Sequence, residues 1–514
     1  MATLVCIRAL EPGPFLTVPI LGGYSSLDLL DLAIAALAQE HRVVVLTAPG
    51  DETRYPDRWQ RVALTDSREA PLIDTLIELA HAGQTATSIL YHHADEPFLD
   101  PTFVTRMIAD HHRYVAEYTF ADGYPGGLAP EILAPSVLPR LRALAREEPA
   151  GREALFTIIQ RDINAFDIET LLADDDMRLL RIELNCSSRR NWLLCKRVAE
   201  AVVAATDPAG VPPPATRQAP AVPAVETIVS TIRADLGLLR TLPAYVMVDV
   251  VEGSPQDVAY SPYRLFGPAG KGKQREMTVD RFASLIARVE DFSPGSVYSI
   301  GAWGEPGLHG SIDDLIGAAA SVPLVIETSG VGWDSAALEQ VLARTQDVTW
   351  IVHLDAIDES EYRRVRGDGF LEAMRFTERL FAAAPAKTYV QTVRYTDLES
   401  HTEAFYRYWK ERTDNIIIQK YDPVCGVLED KRVTDISPVH RFPCWHLKRD
   451  LLVMIDGTVP RCREDIHGNH AAGNIFSDGV EAVWDSLDPV HRAHVRGEYP
   501  SICAECDEYY TFNF

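Results

Sequence analysis

Four of the chain's eight cysteines, Cys444, Cys462, Cys503 and Cys506, fall within residues 444–514, and this bias is the first sign of chemistry. Cys444 and Cys462 flank the stretch WHLKRDLLVMIDGTVPR, which reads as a hairpin turning at Asp456-Gly457. Cys503 and Cys506 form a C-x-x-C pair after a helical pattern and a turn at Pro500, a spacing that lets both sulfurs face one centre. Two thiolates from a hairpin and two from a knuckle predict one soft-metal site, either zinc or iron–sulfur. The plainer alternative is four buried cysteines packed as small hydrophobes. Cys425 stands nearby but fits no ligand spacing, and a core position is expected for it.

These residues need a scaffold, and 514 residues are too many for one ordinary core. The segment DPAGVPPPATRQAPAVPAV (207–225) is too rich in Pro and Ala to bury a core, so it predicts a semi-stiff linker. Before it, TLVCIRA (3–9), RVVVLTA (42–48) and SILYHHADEPF (88–98) read as strands, and LDLLDLAIAALAQE (27–40) as an amphipathic helix. That alternation predicts an open, mostly parallel α/β sheet. After the linker, candidate strands recur at 244–251, 296–302, 322–328, 348–355, 387–393 and 415–421, separated by helical patterns. Such a series predicts a full or partial parallel barrel. From about residue 422 the pattern dissolves into short strands, turns and cysteines. The expected domains are therefore 1–206, a linker at 207–225, 226–421 and 422–514.

Composition excludes some classes of function. A net charge of −25 repels phosphate backbones, so nucleic acid is not expected as a partner. The basic residues Lys271, Lys273 and Arg275 read as a solvated loop. No apolar run is long enough for a membrane helix, and the N-terminal residues lack a basic region followed by an apolar stretch. The expectation is a cytoplasmic protein without a disulfide framework or membrane partner.

The C-terminal landmarks carry a family resemblance. Cys444-Trp445, Met454-Ile455-Asp456-Gly457-Thr458-Val459, Cys462-Arg463-Glu464-Asp465, Gly473-Asn474-Ile475-Phe476, Trp484, Arg492 and Cys503-Ala504-Glu505-Cys506 resemble the SPASM or twitch extension of radical SAM enzymes. The resemblance implies that the four cysteines ligate one auxiliary [4Fe–4S] cluster, with zinc the competing ion. The seven-cysteine version of that domain, with two auxiliary clusters, is not present.

The middle region resembles the radical SAM barrel. Gly304-Glu305-Pro306 stands where that family holds the amino group of S-adenosylmethionine, and Glu327-Thr328-Ser329-Gly330 stands where it has a Thr-Asn-Gly turn. His353-Leu354-Asp355 and Tyr362-Arg363-Arg364-Val365-Arg366-Gly367 resemble its fourth unit. Where the family carries C-x-x-x-C-x-x-C, this chain has Ser254, Val258 and Ser261. Valine cannot ligate iron and serine is a hard, poor substitute for thiolate. Reductive cleavage of S-adenosylmethionine is therefore not expected.

The N-terminal region resembles, more distantly, cytidylyltransferases that activate sugars. The resemblance rests on Ala94-Asp95-Glu96-Pro97-Phe98-Leu99-Asp100, on Tyr124-Pro125-Gly126-Gly127-Leu128 with Glu131, and on Leu180-Arg181-Ile182-Glu183-Leu184-Asn185. It implies CTP and Mg²⁺, with Asp95 and the position of Asn185 as metal ligands. An amide neutralises a hard cation less well than a carboxylate. The loop between Arg8 and Arg42 also contains no Lys or Arg to stabilise a leaving pyrophosphate. His92 and His93, adjacent on a strand, face opposite sides and do not share a site easily.

Together the three parts resemble the spiro-SPASM family. The leading expectation is an iron–sulfur protein without conventional radical chemistry, acting in binding, electron relay or scaffolding on an unknown small molecule or protein. The rivals are a divergent nucleotidyltransferase acting on a sugar or sugar acid, with a regulatory cluster domain, and a non-radical enzyme using the barrel pocket.

Overall fold

The computed structural model describes residues 3–38, 40–82, 85–206, 221–266, 275–344 and 347–511. The chain divides into two compact units, Met1–Thr241 and Leu242–Phe514.

The first unit is built on a seven-stranded sheet. Its strands are β1 (Thr3–Ala9), β2 (His41–Thr47), β3 (Gln60–Ala63), β4 (Ser88–His93), β5 (Tyr118–Asp122), β6 (Glu131–Leu133) and β7 (Ile168–Leu172). They lie in the order β3-β2-β1-β4-β6-β5-β7. β1 pairs in parallel with both β2 and β4, placing Val5 between Val43 and Leu90. All seven β1 residues are buried, Thr3 and Arg8 included, so burial along the strand is continuous rather than alternating. β6 alone runs antiparallel to its neighbours β4 and β5, so the sheet is mostly parallel, as expected. The helix expected over 27–40 spans Ser26–Ala35, started by a capping box of Ser25 and Asp28.

The first unit extends past the linker. Residues 207–220 of that linker lie outside the described residues. The helix Val225–Ala234 then buries Val225, Ile228 and Ile232 in the first unit's core. One carboxylate joins the two segments. Asp100 accepts Thr102 N–H at 2.8 Å, capping the helix Pro101–Arg113, and accepts Val225 N–H at 3.2 Å through its other oxygen. The expected start of the barrel domain at residue 226 is corrected to the division at Thr241/Leu242.

The second unit contains seven parallel strands: β8 (Tyr245–Val248), β9 (Val297–Ile300), β10 (Leu324–Thr328), β11 (Val348–His353), β12 (Thr388–Arg394), β13 (Ile416–Lys420) and β14 (Asp450–Val453). Their order is β13-β12-β11-β10-β9-β8-β14. The first six are the strands read from the sequence. Alternate residues face two cores: Tyr245, Met247, Val325, Ile351 and Leu452 cluster together, while Val246, Val248, Ile326 and Val453 pack with the helices. Both faces are covered, as a parallel sheet requires.

β14 was not expected in this sheet. Asp450–Val453 pairs in parallel with β8, in the register Tyr245↔Asp450 to Val248↔Val453. The expected turn is closed by Met454 N–H on Thr458 O and Gly457 N–H on Met454 O, each at 2.8 Å. The chain does turn at Asp456-Gly457, with Gly457 at φ 87°, and a Cβ there would fall 2.2 Å from the Phe476 ring. The arm beyond the turn, Thr458–Val459, pairs antiparallel with Gly473–Asn474. The cysteine-rich segment and the barrel are consequently one compact unit rather than two domains divided at residue 422.

Candidate metal centre

Local structure brings the four predicted cysteines together. Cys444 starts the helix Trp445–Arg449 that feeds β14, and Trp445 N–H donates to Tyr509 O at 2.8 Å, drawing the C-terminal segment onto it. Cys462 follows the Thr458–Val459 arm. Cys503 ends a single 3₁₀ turn, Ser501–Cys503, and the Cys506 sulfur accepts Glu508 N–H at 3.4 Å. All four line one cavity. Burial pushes the thiols of Cys444, Cys462 and Cys503 up, so their thiolate forms need a bound cation to displace the proton. An all-sulfur, largely buried donor set with no carboxylate among the four fits an iron–sulfur cluster or zinc.

The cavity has a fifth thiol. Cys425 lines it and hydrogen-bonds Cys506, and this bond holds the Cys506 thiol below its ordinary range. The core position expected for Cys425 is corrected. It sits on a tight turn closed by Gly426 N–H and Leu428 N–H on Pro423 O, with Val424 and Cys425 both at φ 51°. Consecutive left-handed, non-glycine residues are costly, and here they send Val424 to the barrel mouth and Cys425 to the cysteines. Spacing in the sequence contained no signal for this. Arg441, Arg461 and His494, also unsuspected, line it too. The carboxylates Asp422, Asp507 and Glu508 cluster nearby, but Lys420 Nζ bonds Asp507 at 2.9 Å and also Glu508, and Arg432 reaches Asp507 at 2.6 Å. That group is an ion-pair network already supplied with its cations.

A second cavity, of about 190 Å³, opens at the mouth of the barrel. Ser254, Val258 and Ser261 line it, as do Gly304, Glu305 and the pair Glu327 and His353, whose side chains approach to 3.5 Å. Glu305 is spoken for. Its carboxylate accepts Thr328 Oγ1, Ser329 N–H at 2.8 Å, Ser329 Oγ at 2.6 Å and Trp333 Nε1 at 3.1 Å. Gly304 is required where it stands, because a Cβ would fall 1.7 Å from the Val251 carbonyl oxygen. Pro306 opens a short 3₁₀ turn. Deeper in the wall, Asp355 is fully enclosed and accepts Arg366 Nη1 and Tyr260 Oη, each at 2.6 Å, and Val393 N–H at 3.0 Å. Glu464 borders both cavities, so the cysteine site and the barrel mouth share a wall.

In the first unit, Asp95 is locked in a two-pronged ion pair with Arg152 (Nη1–Oδ2 3.0 Å, Nη2–Oδ1 2.9 Å), and Arg152 also bonds Glu96 at 2.7 Å. Asn185 Oδ1 accepts Ser187 N–H at 3.1 Å, Ser187 Oγ at 2.6 Å and Asn191 Nδ2 at 2.9 Å. Both predicted cation ligands are thus engaged by protein donors. His92 turns to Glu96 (Nδ1–Oε2 3.3 Å) and His93 to the Arg152 carbonyl (3.2 Å), separate partners as strand alternation predicts. Of the basic loop, Lys271 and Lys273 lie outside the described residues, and Arg275 pairs with Glu252. Among the described residues no helix is long and apolar enough to cross a membrane.

SPASM, an iron-sulfur cluster-binding domain, matches residues 444–507. A protein of Treponema pallidum (strain Nichols) recorded as uncharacterized is 36% identical over 377 residues, covering 70% of this chain and 98% of that relative. Among solved structures, Streptococcus suis SuiB bound to precursor peptide SuiA is similar at 14% identity and TM-score 0.42, over 55% of this chain and 75% of that one. A cytidylyltransferase from Leptospira borgpetersenii serovar Hardjo-bovis is similar at 15% identity and TM-score 0.36, over 46% of this chain and 95% of that one. The chain carries a SPASM domain at residues 444–507 and belongs to the same family as the Treponema pallidum protein.

Two expectations follow from the buried charges. Replacing Arg366 by Met strands the Asp355 carboxylate, and the loss of one partner of a buried pair costs about 3–5 kcal/mol, measurable by chemical denaturation. In the first unit, burial pushes Glu131, which accepts Tyr118 Oη at 2.5 Å, up to about 7 from an ordinary 4.5. The folded state then holds a proton that the unfolded chain releases, so stability falls as pH rises through that window. Glu131→Gln removes this dependence: its unfolding free energy relative to the parent should increase from about pH 5 to pH 7. An unchanged difference across that range refutes the assignment.

Proposed function

We propose that the protein binds one [4Fe–4S] cluster through Cys444, Cys462, Cys503 and Cys506, and works in electron relay or binding without cleaving S-adenosylmethionine. The observation that supports this most is the barrel mouth. The three positions where the family has cluster thiolates are Ser254, Val258 and Ser261, and none offers a soft ligand. The Glu305 carboxylate, where the family holds the amino group of S-adenosylmethionine, is already occupied by four donors of the protein itself. When bound, the cluster supplies a one-electron store. The chain's own residues do the rest: the cysteines hold the cluster, Glu464 lies between it and the barrel cavity, and Glu327 and His353 orient a small polar molecule at the mouth.

The first unit, read as a cytidylyltransferase-like fold, serves in this proposal as a scaffold. Arg152 supplies to Asp95 the positive charge that Mg²⁺ would bring, which weighs against metal-dependent nucleotidyl transfer to a sugar acid. The acidic balance supports a partner that is a small molecule or protein rather than a nucleic acid.

Anaerobically purified protein should contain about four irons and four sulfides per chain, the composition of one such cluster. Cys503→Ala should lose them, whereas Cys425→Ala should keep them. Zinc without sulfide, or loss of iron in the Cys425 variant, would displace the assignment of ligands. With dithionite and S-adenosylmethionine, no 5′-deoxyadenosine should accumulate, as followed by chromatography. Catalytic formation of it refutes the non-radical reading. Restoring three thiols (Ser254→Cys, Val258→Cys, Ser261→Cys) should add about four irons.

A further inference from the structure

His494 lies in the helix Asp488–Val495 and is 2% exposed. Its Nδ1 accepts the backbone N–H of Cys444 at 3.4 Å. A ring nitrogen that accepts a hydrogen bond bears no proton, so the imidazole's proton is on Nε2. That Nε2 is sealed from solvent and has no hydrogen-bond partner among the described residues, and the ring lines the cysteine cavity. Its aromatic neighbour, Tyr499, stands with its ring at 76° to the imidazole, the centroids 4.9 Å apart.

A second N–H is in the same position. Arg441 lines the cavity and donates Nη2 to Cys503 O at 2.6 Å, with its guanidinium over the Tyr499 ring at 3.9 Å, while its Nε is buried and without a partner among the described residues. A buried donor left unsatisfied costs about 1–3 kcal/mol. Two such donors at one cavity call for an occupant rich in acceptors. Glu464 Oε2 is also without a partner, but it borders the barrel cavity as well.

We propose that the cavity's occupant is held by hydrogen bonds as well as by thiolates, with His494 Nε2–H donating to a sulfur of the cluster and raising its reduction potential. This rests on the reading of the cysteine cavity as the cluster site. Sulfide and thiolate sulfurs are anionic acceptors that gain charge when the cluster is reduced, so a donor aimed at them favours the reduced form. Ligation of iron by His494 is a different arrangement. It needs an unprotonated Nε2, which moves the proton to Nδ1 and sets it against Cys444 N–H. His494 is therefore a positioning and tuning residue, not a ligand.

The test uses the full chain, purified anaerobically, as the parent, His494→Gln and His494→Leu. Each is assayed for iron and sulfide and then titrated potentiometrically under electron paramagnetic resonance. All three should hold the same iron and sulfide. The Leu variant should shift to a lower midpoint potential, and Gln, which keeps an N–H, should stay near the parent. An unchanged potential in the Leu variant overturns the proposal alone, and loss of iron in both variants makes His494 a ligand and also overturns it. Zinc without sulfide in the parent overturns it together with the cluster reading. Should the Leu variant fail to fold, electron–nuclear double resonance on the parent decides. A weakly coupled exchangeable proton from ¹⁵N-labelled histidine supports the hydrogen bond, and a directly coordinated nitrogen, or no such proton, refutes it.

Discussion

The second unit depends on one short pairing, that of Asp450–Val453 alongside Tyr245–Val248 in parallel. The ladder is extended at both ends, by Ala244 N–H on Arg449 O at 2.8 Å and Asp249 N–H on Val453 O at 2.9 Å. It caps the open edge of a six-stranded parallel sheet with a strand from far along the chain, and leaves the unpaired groups of β8 satisfied. Because Cys444 stands six residues before this strand and Cys462 nine after it, the pairing also fixes both cysteines relative to the barrel. The buried Asp450 anchors it, with Arg449 Nε at 2.8 Å and His446 Nδ1 at 2.6 Å, and His446 in turn reaches Glu508 O at 3.0 Å. One strand thereby ties the barrel, the first two cysteines and the C-terminal knuckle into a single hydrogen-bonded object.

Acidic side chains at the candidate sites of the first unit and the barrel mouth are already matched by donors of the protein. Asp95 has Arg152, Asp355 has Arg366, Asp507 has Lys420 and Arg432, and Glu305 has two hydroxyls, an indole N–H and a backbone N–H. Buried charge is tolerated only when compensated, and a carboxylate so compensated is a weak ligand for a cation or an ammonium group. The cysteine cavity shows the opposite condition. There buried N–H groups of His494 and Arg441 lack partners among the described residues, beside one unpartnered carboxylate oxygen of Glu464.

The alternation of apolar runs with helical patterns was enough to locate all six barrel strands and the three strands first read in the N-terminal unit, since a strand buried on both faces is continuously apolar whatever surrounds it. The gathering of the four cysteines was legible for a similar reason: C-x-x-C spacing and a turn at Asp456-Gly457 are local. The absence of thiols at 254, 258 and 261 is likewise a fact of the sequence. What only the tertiary structure decided lies at long range. Nothing local says that residues 225–241 pack on the first unit, that β14 pairs with β8, that Arg152 reaches Asp95, or that Cys425 and His494 turn toward Cys506 and Cys444. Each is a contact between segments far apart in the chain, chosen by burial and by the need of every enclosed polar group for a partner, and that need is defined only once the surrounding core exists.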